Sequence, residues 1–277
     1  ELVVPRDLLV ESHEVAGEAL LLYAVAARGN KPGGFNSDQR LPGDLVAFDE
    51  EISWNYELGL KTSLLDNRVQ LNLSGYYIDW EDQQLTQNFL PAAGTPFSFV
   101  DNAGTLDVYG AEIEATARLT RDWTLRTSYA YTDPEFSGGT DAEVGTLFGD
   151  DSLVGRRPPN VSEHQFSVIS DYTFDLTGDW SAFIVADYAF RSSKFAQVIN
   201  EAESGDRGVA NLRAGVNNES YEIILFVRNV FDNTDPVSVT RYIDSRNFLG
   251  SPFVTNRGFL AGIPRERQFG AEVRLRF

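Results

Sequence analysis

The sequence contains no cysteine and no methionine, and only two histidines occur among its 277 residues. Without cysteine, neither a disulfide framework nor a thiolate metal site can form. The histidines, His13 and His164, lie far apart in the chain, so a histidine-based metal site is not expected. Because both an initiating methionine and a signal segment with a basic start and an apolar core are lacking, we expect a fragment or a processed form of a longer protein.

Long apolar runs and basic residues are also scarce. No apolar run approaches the roughly 20 residues that a membrane-spanning helix requires. The chain has 23 basic and 41 acidic residues, a formal net charge of −18, whereas nucleic-acid binding calls for a basic surface. A helical membrane protein and a nucleic-acid-binding protein are therefore excluded. Neither a Ser/His/Asp triad spacing nor a phosphate-cradling glycine loop occurs, so we predict that the protein is not an enzyme and has no cofactor.

Apolar and polar side chains alternate along many segments of about ten residues. In the segment 53–62, Trp54, Tyr56, Leu58 and Leu60 alternate with polar neighbours such as Glu57. The same alternation recurs in the segments 69–77, 109–118, 123–131, 180–190 and 269–277. This length fits a tilted membrane-spanning strand, but the alternation alone fits a soluble β-sandwich equally well.

Aromatic placement and connection lengths favour the membrane alternative. Aromatic residues lie at both ends of the strands, as in two interface belts: Trp123 and Trp180 at one end, and Tyr129, Tyr131, Tyr188 and Phe190 at the other. Short and long connections alternate, as in outer-membrane barrels with short periplasmic turns and long extracellular loops. The short ones are 66–67, 120–122, 175–179 and 217–220; the long ones are about 30–50, 81–103, 134–160, 193–206 and 231–266.

This pattern predicts an all-β fold with about eleven antiparallel strands, the first near 6–13 and the last over 267–277. Complete bacterial barrels have even strand counts, and eleven is half of the 22 strands found in plugged outer-membrane transporters. We therefore interpret residues 1–277 as the C-terminal part of a 22-stranded transmembrane barrel, without its plug domain and its N-terminal strands.

Six stretches, in this order, resemble the C-terminal half of the barrel of TonB-dependent outer-membrane receptors. They are 23–36 (YAVAARGNKPGGFN), 55–61 (NYELGLK), 102–104 (NAG) with 109–114 (YGAEIE), 155–160 (GRRPPN) before Glu163 and His164, 229–232 (NVFD), and Pro264-Arg265 leading to the terminal Phe277. The resemblance covers almost the whole chain. It implies a location in the outer membrane of a Gram-negative bacterium.

The resemblance also implies a function and partners. The function is active uptake of a scarce nutrient, of which a ferric siderophore is the leading candidate, energised by the TonB–ExbB–ExbD complex through a plug that is not in this chain. The implied partners are this complex, the barrel-assembly machinery that reads the terminal aromatic Phe277, outer-membrane lipid and lipopolysaccharide, and a small-molecule substrate. Carbohydrate or cobalamin uptake, a passive porin and a soluble β-sandwich binding module remain as alternatives.

Candidate substrate contacts lie in the long connections. Guanidinium groups pair well with the oxygens of an anionic ligand, and aromatic rings stack on ring-shaped ligands. The candidates are Arg156, Arg157, Arg191, Arg246, Phe35, Phe89, Phe97 and Phe195. The acidic groups 141–143, 150–151 and 201–206 lack an EF-hand spacing, so we interpret them as solvated loops rather than Ca²⁺ sites.

Several residues within the strands have a predicted structural role. Gly59, Gly75 and Gly110 are expected where the backbone is closely approached or bulged. The strand carboxylates are expected to point into the lumen, where confined charges are usually paired. Glu57, Glu112 and Glu114 are therefore predicted to bind Arg118, Arg126 or plug residues.

Overall fold

The computed structural model describes residues 9–15, 18–37, 41, 43, 46–89, 97–243 and 257–276. Within this part, eleven strands form one sheet in which each strand is antiparallel to its neighbours. In order across the sheet they are β1 (Leu9–Val15), β2 (Glu18–Lys31), β5 (Glu51–Leu64), β6 (Val69–Phe89), β7 (Phe97–Arg118), β8 (Trp123–Gly139), β9 (His164–Asp175), β10 (Ser181–Arg191), β11 (Arg207–Asn217), β12 (Tyr221–Arg228) and β15 (Gln268–Leu275). The predicted eleven-stranded antiparallel sheet is confirmed, with β1 and β15 at its two edges.

Smaller elements lie in the long connections. Two hairpins stand apart from the sheet: β3 (Gly34–Phe35) with β4 (Ala47–Phe48), and β13 (Ser238–Ile243) with β14 (Arg257–Gly262). One helix, α1 (Ala142–Phe148), follows β8. Among the described residues, no helix is both long enough and apolar enough to cross a membrane. The short turns at 65–68, 119–122, 176–180 and 218–220 all lie at one end of the sheet and the long connections at the other, which confirms the predicted alternation.

Two predicted boundaries are wrong. The segment 81–103 was expected to be a polar loop, but β6 continues to Phe89 and β7 begins at Phe97, so most of this segment is paired strand. The segment 81–103 is polar because the strands extend beyond the lipid there. The pairing of β6 with β7 has register shifts between Trp80 and Gln84. β8 likewise continues to Gly139, past the expected boundary at 134. The first strand, expected near 6–13, spans Leu9–Val15 in the described part, and residues 6–8 lie outside that part.

The outer face of the sheet is apolar and exposed. Leu58, Leu225, Phe269 and Val273 each expose more than 60% of their surface. The paired register places them on the same face as Ile184, Leu212 and Ile223. An apolar band of this size is incompatible with water and requires a lipid environment.

On the outer face of the sheet, the side chains change from apolar to polar at a row of aromatic rings. Tyr56, Tyr77 and Tyr109 lie opposite one another on β5, β6 and β7, with ring centroids 6.3 and 5.0 Å apart. One step further from the short turns, the outer face carries Asp79 and Asp107. The aromatic row therefore marks the interface between lipid and water.

Beyond this aromatic row, the inner face of the sheet becomes apolar and supports a buried core. Leu106, Phe136, Val144, Leu153 and Ile199 expose 2% of their surface or less. Tyr76, Ile78, Trp80, Leu85 and Val198 pack against this cluster. The core thus joins the extended ends of β6, β7 and β8 to helix α1 and to the connections on either side of β9 and β10.

Aromatic residues on the inner face lie over glycines of the neighbouring strand. In four such pairs the two residues are directly opposite, and a Cβ on the glycine would lie 2.1 to 2.6 Å from the ring. The pairs are Tyr23 with Gly59, Tyr76 with Gly110, Phe183 with Gly215, and Phe226 with Gly270. This arrangement gives the Phe183 ring a packing partner on the inner face, and it confirms the predicted close approach at Gly59 and Gly110. At Gly75 the nearest contact is an ordinary 3.8 Å.

Replacing Gly110 with alanine is expected to destabilise the barrel by about 1–3 kcal/mol, because the new methyl group displaces the Tyr76 ring. Tyr76 also shares a hydrogen bond with Thr132 at 3.1 Å, which this displacement would strain. The measurement is the temperature at which the folded barrel loses its resistance to dodecyl sulfate. Gly75→Ala is the matched control and should have little effect. If G110A costs as much in a Tyr76→Ala background, the ring contact is not the cause.

Candidate functional site

Helix α1 is fixed over the inner face by its caps and by one buried side chain. The Asp141 carboxylate accepts hydrogen bonds from the backbone N–H groups of Glu143 and Val144 at 2.9 and 3.0 Å, which is a standard N-cap. Gly149 ends the helix in a left-handed conformation, with φ of 76°. The buried Gln87 on β6 donates to the Thr140 carbonyl at 3.2 Å. The helix therefore belongs to a folded platform rather than to a free loop.

The two arginines of the GRRPPN stretch hold this platform together. The Arg156 guanidinium donates to the Ile199 carbonyl at 2.8 Å and lies 4.7 Å from the centre of the Phe148 ring. Arg157 forms ion pairs with Asp133 and with Glu163, both at 2.6 Å. These contacts join β8, α1 and the connections after β8 and β10. Arg156 and Arg157, which were predicted to contact the ligand, therefore both bind other parts of the protein in this structure.

Arg191 has different surroundings. It ends β10 on the inner face and lies directly opposite Arg207, the first residue of β11. Arg191 donates to the Ser204 hydroxyl at 3.0 Å and to the carbonyls of Pro236 and Val237 at 3.1 Å, all of which are neutral acceptors. Arg207 donates to the Asp235 carbonyl at 2.7 Å. Arg207 was not among the candidates from the sequence, because its position opposite Arg191 depends on the strand register.

The predicted aromatic candidates are dispersed. Phe35 is 83% exposed in β3, and its neighbour Asn36 exchanges two hydrogen bonds with the backbone of Val100 at 2.7 and 2.9 Å. Phe195 is half-buried and belongs to the same loop cluster as the GRRPPN stretch, since its carbonyl accepts from the Asn160 N–H at 2.8 Å. Phe89 and Phe97 are opposite one another in the backbone register of β6 and β7. Arg246 and Phe277 lie outside the described residues.

The inner-face carboxylates form contacts different from those expected. Glu57 accepts from the Tyr23 hydroxyl at 2.6 Å, and Glu114 accepts from the Asn72 amide at 3.2 Å. Arg126 binds Asp171 rather than Glu112 or Glu114. Within the described part, the predicted pairing of these glutamates with Arg126 is therefore wrong, because the Asp171 carboxylate on β9 takes this guanidinium.

The acidic groups of the connections mainly fix the local backbone. Asp150 accepts from the Ser152 N–H at 3.1 Å and Asp206 from the Ser193 N–H at 2.7 Å, while Asp141 is the helix cap described above. Among the residues that the structure describes, no group of three or more histidine, cysteine, aspartate or glutamate side chains is arranged to hold a metal ion.

The chain belongs to the family described as TonB dependent receptor-like, beta-barrel, whose model matches residues 15–230. This family consists of transport receptors in the outer membrane of Gram-negative bacteria, and the chain is therefore an outer-membrane β-barrel segment.

Curated relatives match over part of the chain. The metal-pseudopaline receptor CntO of Pseudomonas aeruginosa is 28% identical over 153 residues, which is 55% of this chain and 19% of that protein. The ferric-pyoverdine 358 receptor of Pseudomonas putida is 26% identical over 192 residues, 66% of this chain and 21% of that protein. The matched regions thus span about a fifth of the length of these relatives.

Solved structures share the fold over nearly the whole chain. The ferric yersiniabactin uptake receptor FyuA from Yersinia pestis matches with a TM-score of 0.73 at 22% identity, covering 98% of this chain and 37% of that one. The copper transporter OprC matches with a TM-score of 0.65 at 19% identity, covering 96% of this chain and 38% of that one.

Arg157→Ala is expected to loosen the platform, because both Asp133 and Glu163 lose their counter-ion. The partners are about one-third exposed, so we expect a loss of about 1–2 kcal/mol rather than the larger cost of a fully buried pair. The measurement is the rate of protease cleavage within 140–163 in the purified full-length receptor. Arg121→Ala, at an exposed turn, is the control and should leave this rate unchanged. Equal rates for wild type and R157A would contradict the structural role.

Proposed function

We propose that this chain is the C-terminal half of a 22-stranded outer-membrane transporter that takes up a ferric siderophore with energy supplied through TonB. The observation that carries the proposal is the agreement between the barrel match and the names of the relatives. Those matched in sequence are described as receptors for metal-pseudopaline and ferric-pyoverdine. On this proposal the plug domain, the contact with TonB and the other strands belong to other parts of the protein.

The geometry supports a transporter with an external binding surface. The inner face of the strands is polar at the depth of the lipid band, as a solvent-filled or plug-filled lumen requires. Above the aromatic row, helix α1 and the connections after β8 and β10 form a platform with a buried core. Such a platform can hold side chains at fixed positions around the mouth of the lumen.

Further partners follow from the same proposal. The TonB–ExbB–ExbD complex acts through the plug, the barrel-assembly machinery reads the terminal Phe277, and outer-membrane lipid and lipopolysaccharide contact the apolar face. Carbohydrate or cobalamin uptake by the same machinery is the alternative cargo. A passive porin is the alternative class, and it requires a complete protein without a plug domain.

The experiment compares a deletion strain with a strain that carries the full-length gene. Under iron limitation, we expect the deletion to abolish uptake of ⁵⁵Fe as its cognate siderophore complex, and we expect removal of TonB to have the same effect. Growth on candidate glycans and on cobalamin is measured in parallel. Uptake that persists without TonB would indicate a porin. A defect confined to glycans or to cobalamin would rule out iron as the cargo.

A further inference from the structure

The lipid-facing surface of the sheet carries a groove beside the short turn that precedes β8. Trp123, the first residue of β8, is directly opposite Tyr172 of β9, and Tyr172 is opposite Ile184 of β10. One step further along the strands, Ser170 of β9 is opposite Ala186 of β10. These five residues line a groove of about 610 Å³, in which three large side chains surround two small ones. We call it the interface groove.

The aromatic side of the interface groove is held in place and remains open. The indole N–H of Trp123 donates to the Ser170 hydroxyl at 2.9 Å, and the Tyr172 ring lies 5.4 Å from the ring of Phe174. Trp123, Tyr172 and Ile184 nevertheless expose 39%, 40% and 43% of their surface. The groove is therefore a preformed apolar surface whose shape does not depend on an occupant.

The end of the groove at the short turn is polar and charged. Thr120 and Asp122 complete its lining. Asp122 is fixed through its backbone, because its N–H donates to the Thr120 hydroxyl at 3.2 Å and its carbonyl accepts from the Thr173 N–H at 2.8 Å. Across the described ranges, neither the Asp122 carboxylate nor the guanidinium of the adjacent Arg121 has a hydrogen bond or an ion pair, and both residues are exposed.

The position of the groove determines which molecules can reach it. Short turns of an outer-membrane barrel face the periplasm, and tryptophan and tyrosine at the ends of strands lie at the boundary between lipid and water. The groove begins at such an end and continues along the apolar outer face. Its surroundings are therefore the phospholipids of the periplasmic leaflet, with their headgroups at the level of the turn.

We propose that the interface groove binds one phospholipid with a primary-ammonium headgroup, of the phosphatidylethanolamine class. An acyl chain lies in the groove beside Trp123, the ammonium group donates to the Asp122 carboxylate, and the phosphate binds Arg121. A zwitterionic headgroup matches both charges of the turn, whereas an anionic headgroup without an ammonium group is repelled by Asp122. A primary ammonium donates charge-assisted hydrogen bonds, which the quaternary ammonium of choline cannot donate. This site goes beyond the proposed function and does not depend on the transported cargo.

The test uses the full-length receptor in maltoside micelles and brominated phospholipids, which quench tryptophan fluorescence on contact. Three probes share the same acyl chains and carry an ethanolamine, a choline or a glycerol headgroup. The contribution of Trp123 is the difference between the wild type and Trp123→Phe. We expect the ethanolamine probe to bind at Trp123 about 3- to 10-fold more tightly than the other two probes.

Two variants test the two charges separately, after their resistance to dodecyl sulfate has shown that they are folded. Asp122→Asn should reduce the preference for ethanolamine over choline to less than about 2-fold, because the carboxylate loses its charge. Asp66→Asn is the matched control, since Asp66 lies in another exposed short turn outside the groove, and it should keep the preference. Arg121→Gln should weaken binding of the ethanolamine and choline probes alike, by about 2- to 5-fold, because both carry a phosphate.

The opposite results would overturn the lipid site. Equal binding of the ethanolamine and choline probes by the wild type, or an equal loss of preference in Asp66→Asn and Asp122→Asn, would contradict the role of the carboxylate. If Asp122→Asn does not fold, unchanged binding of every probe by Arg121→Gln decides against the site. If no probe quenches Trp123, protein such as a second copy covers the groove. Uptake of iron through TonB should be unchanged in Asp122→Asn, so failure of the lipid site leaves the proposed function standing.

Discussion

The fold depends on the requirement that every backbone N–H and C=O group within hydrocarbon be paired inside the protein. Lipid offers no hydrogen-bond partner, so a strand in the membrane has to be paired on both sides. The nine strands that lie between the edge strands β1 and β15 meet this requirement, because each is paired with an antiparallel neighbour on both sides. Because a strand alternates its side chains between two faces, the same ladder places Leu58 and Leu225 outside and Glu57 and Arg213 inside.

The reversal of polarity at the aromatic row gives the outer part of the molecule a second kind of architecture. Where β6, β7 and β8 extend beyond the lipid, their outer face contacts water and their inner face can bury apolar residues. Leu106 and Phe136 then form a core with Val144 of the helix and Leu153 of the following connection. On the short-turn side of Tyr77, these strands therefore contact lipid with their outer face. On the other side of Tyr77, their inner face packs against a buried core like that of a soluble protein.

The sequence allowed the membrane part to be predicted, because alternation, turn spacing and aromatic belts are local features. The strand count and the alternation of short and long connections are confirmed. The extension of β6 and β7 through 81–103 was not foreseen, because polar residues such as Gln83, Gln84 and Gln87 resemble a loop when only composition is considered. Their pairing depends on a strand that lies about 20 residues away and on the packing of the core.

The candidate site was harder to predict, since residue type does not reveal what a side chain binds. Arg156 and Arg157 had the right chemistry for an anion, but the fold brings Ile199, Asp133 and Glu163 to them. The packing of Phe183 likewise depends on the register, which places Gly215 of the neighbouring strand beneath its ring. In both cases the missing information was a partner distant in sequence.

The arginines show why the partner decides the role. A guanidinium with two carboxylates, as at Arg157, is neutralised and fixes elements in place, and an incoming anion would have to compete with both. The guanidinium of Arg191 is held by neutral acceptors opposite Arg207, so its orientation is fixed without an ion pair to a described carboxylate.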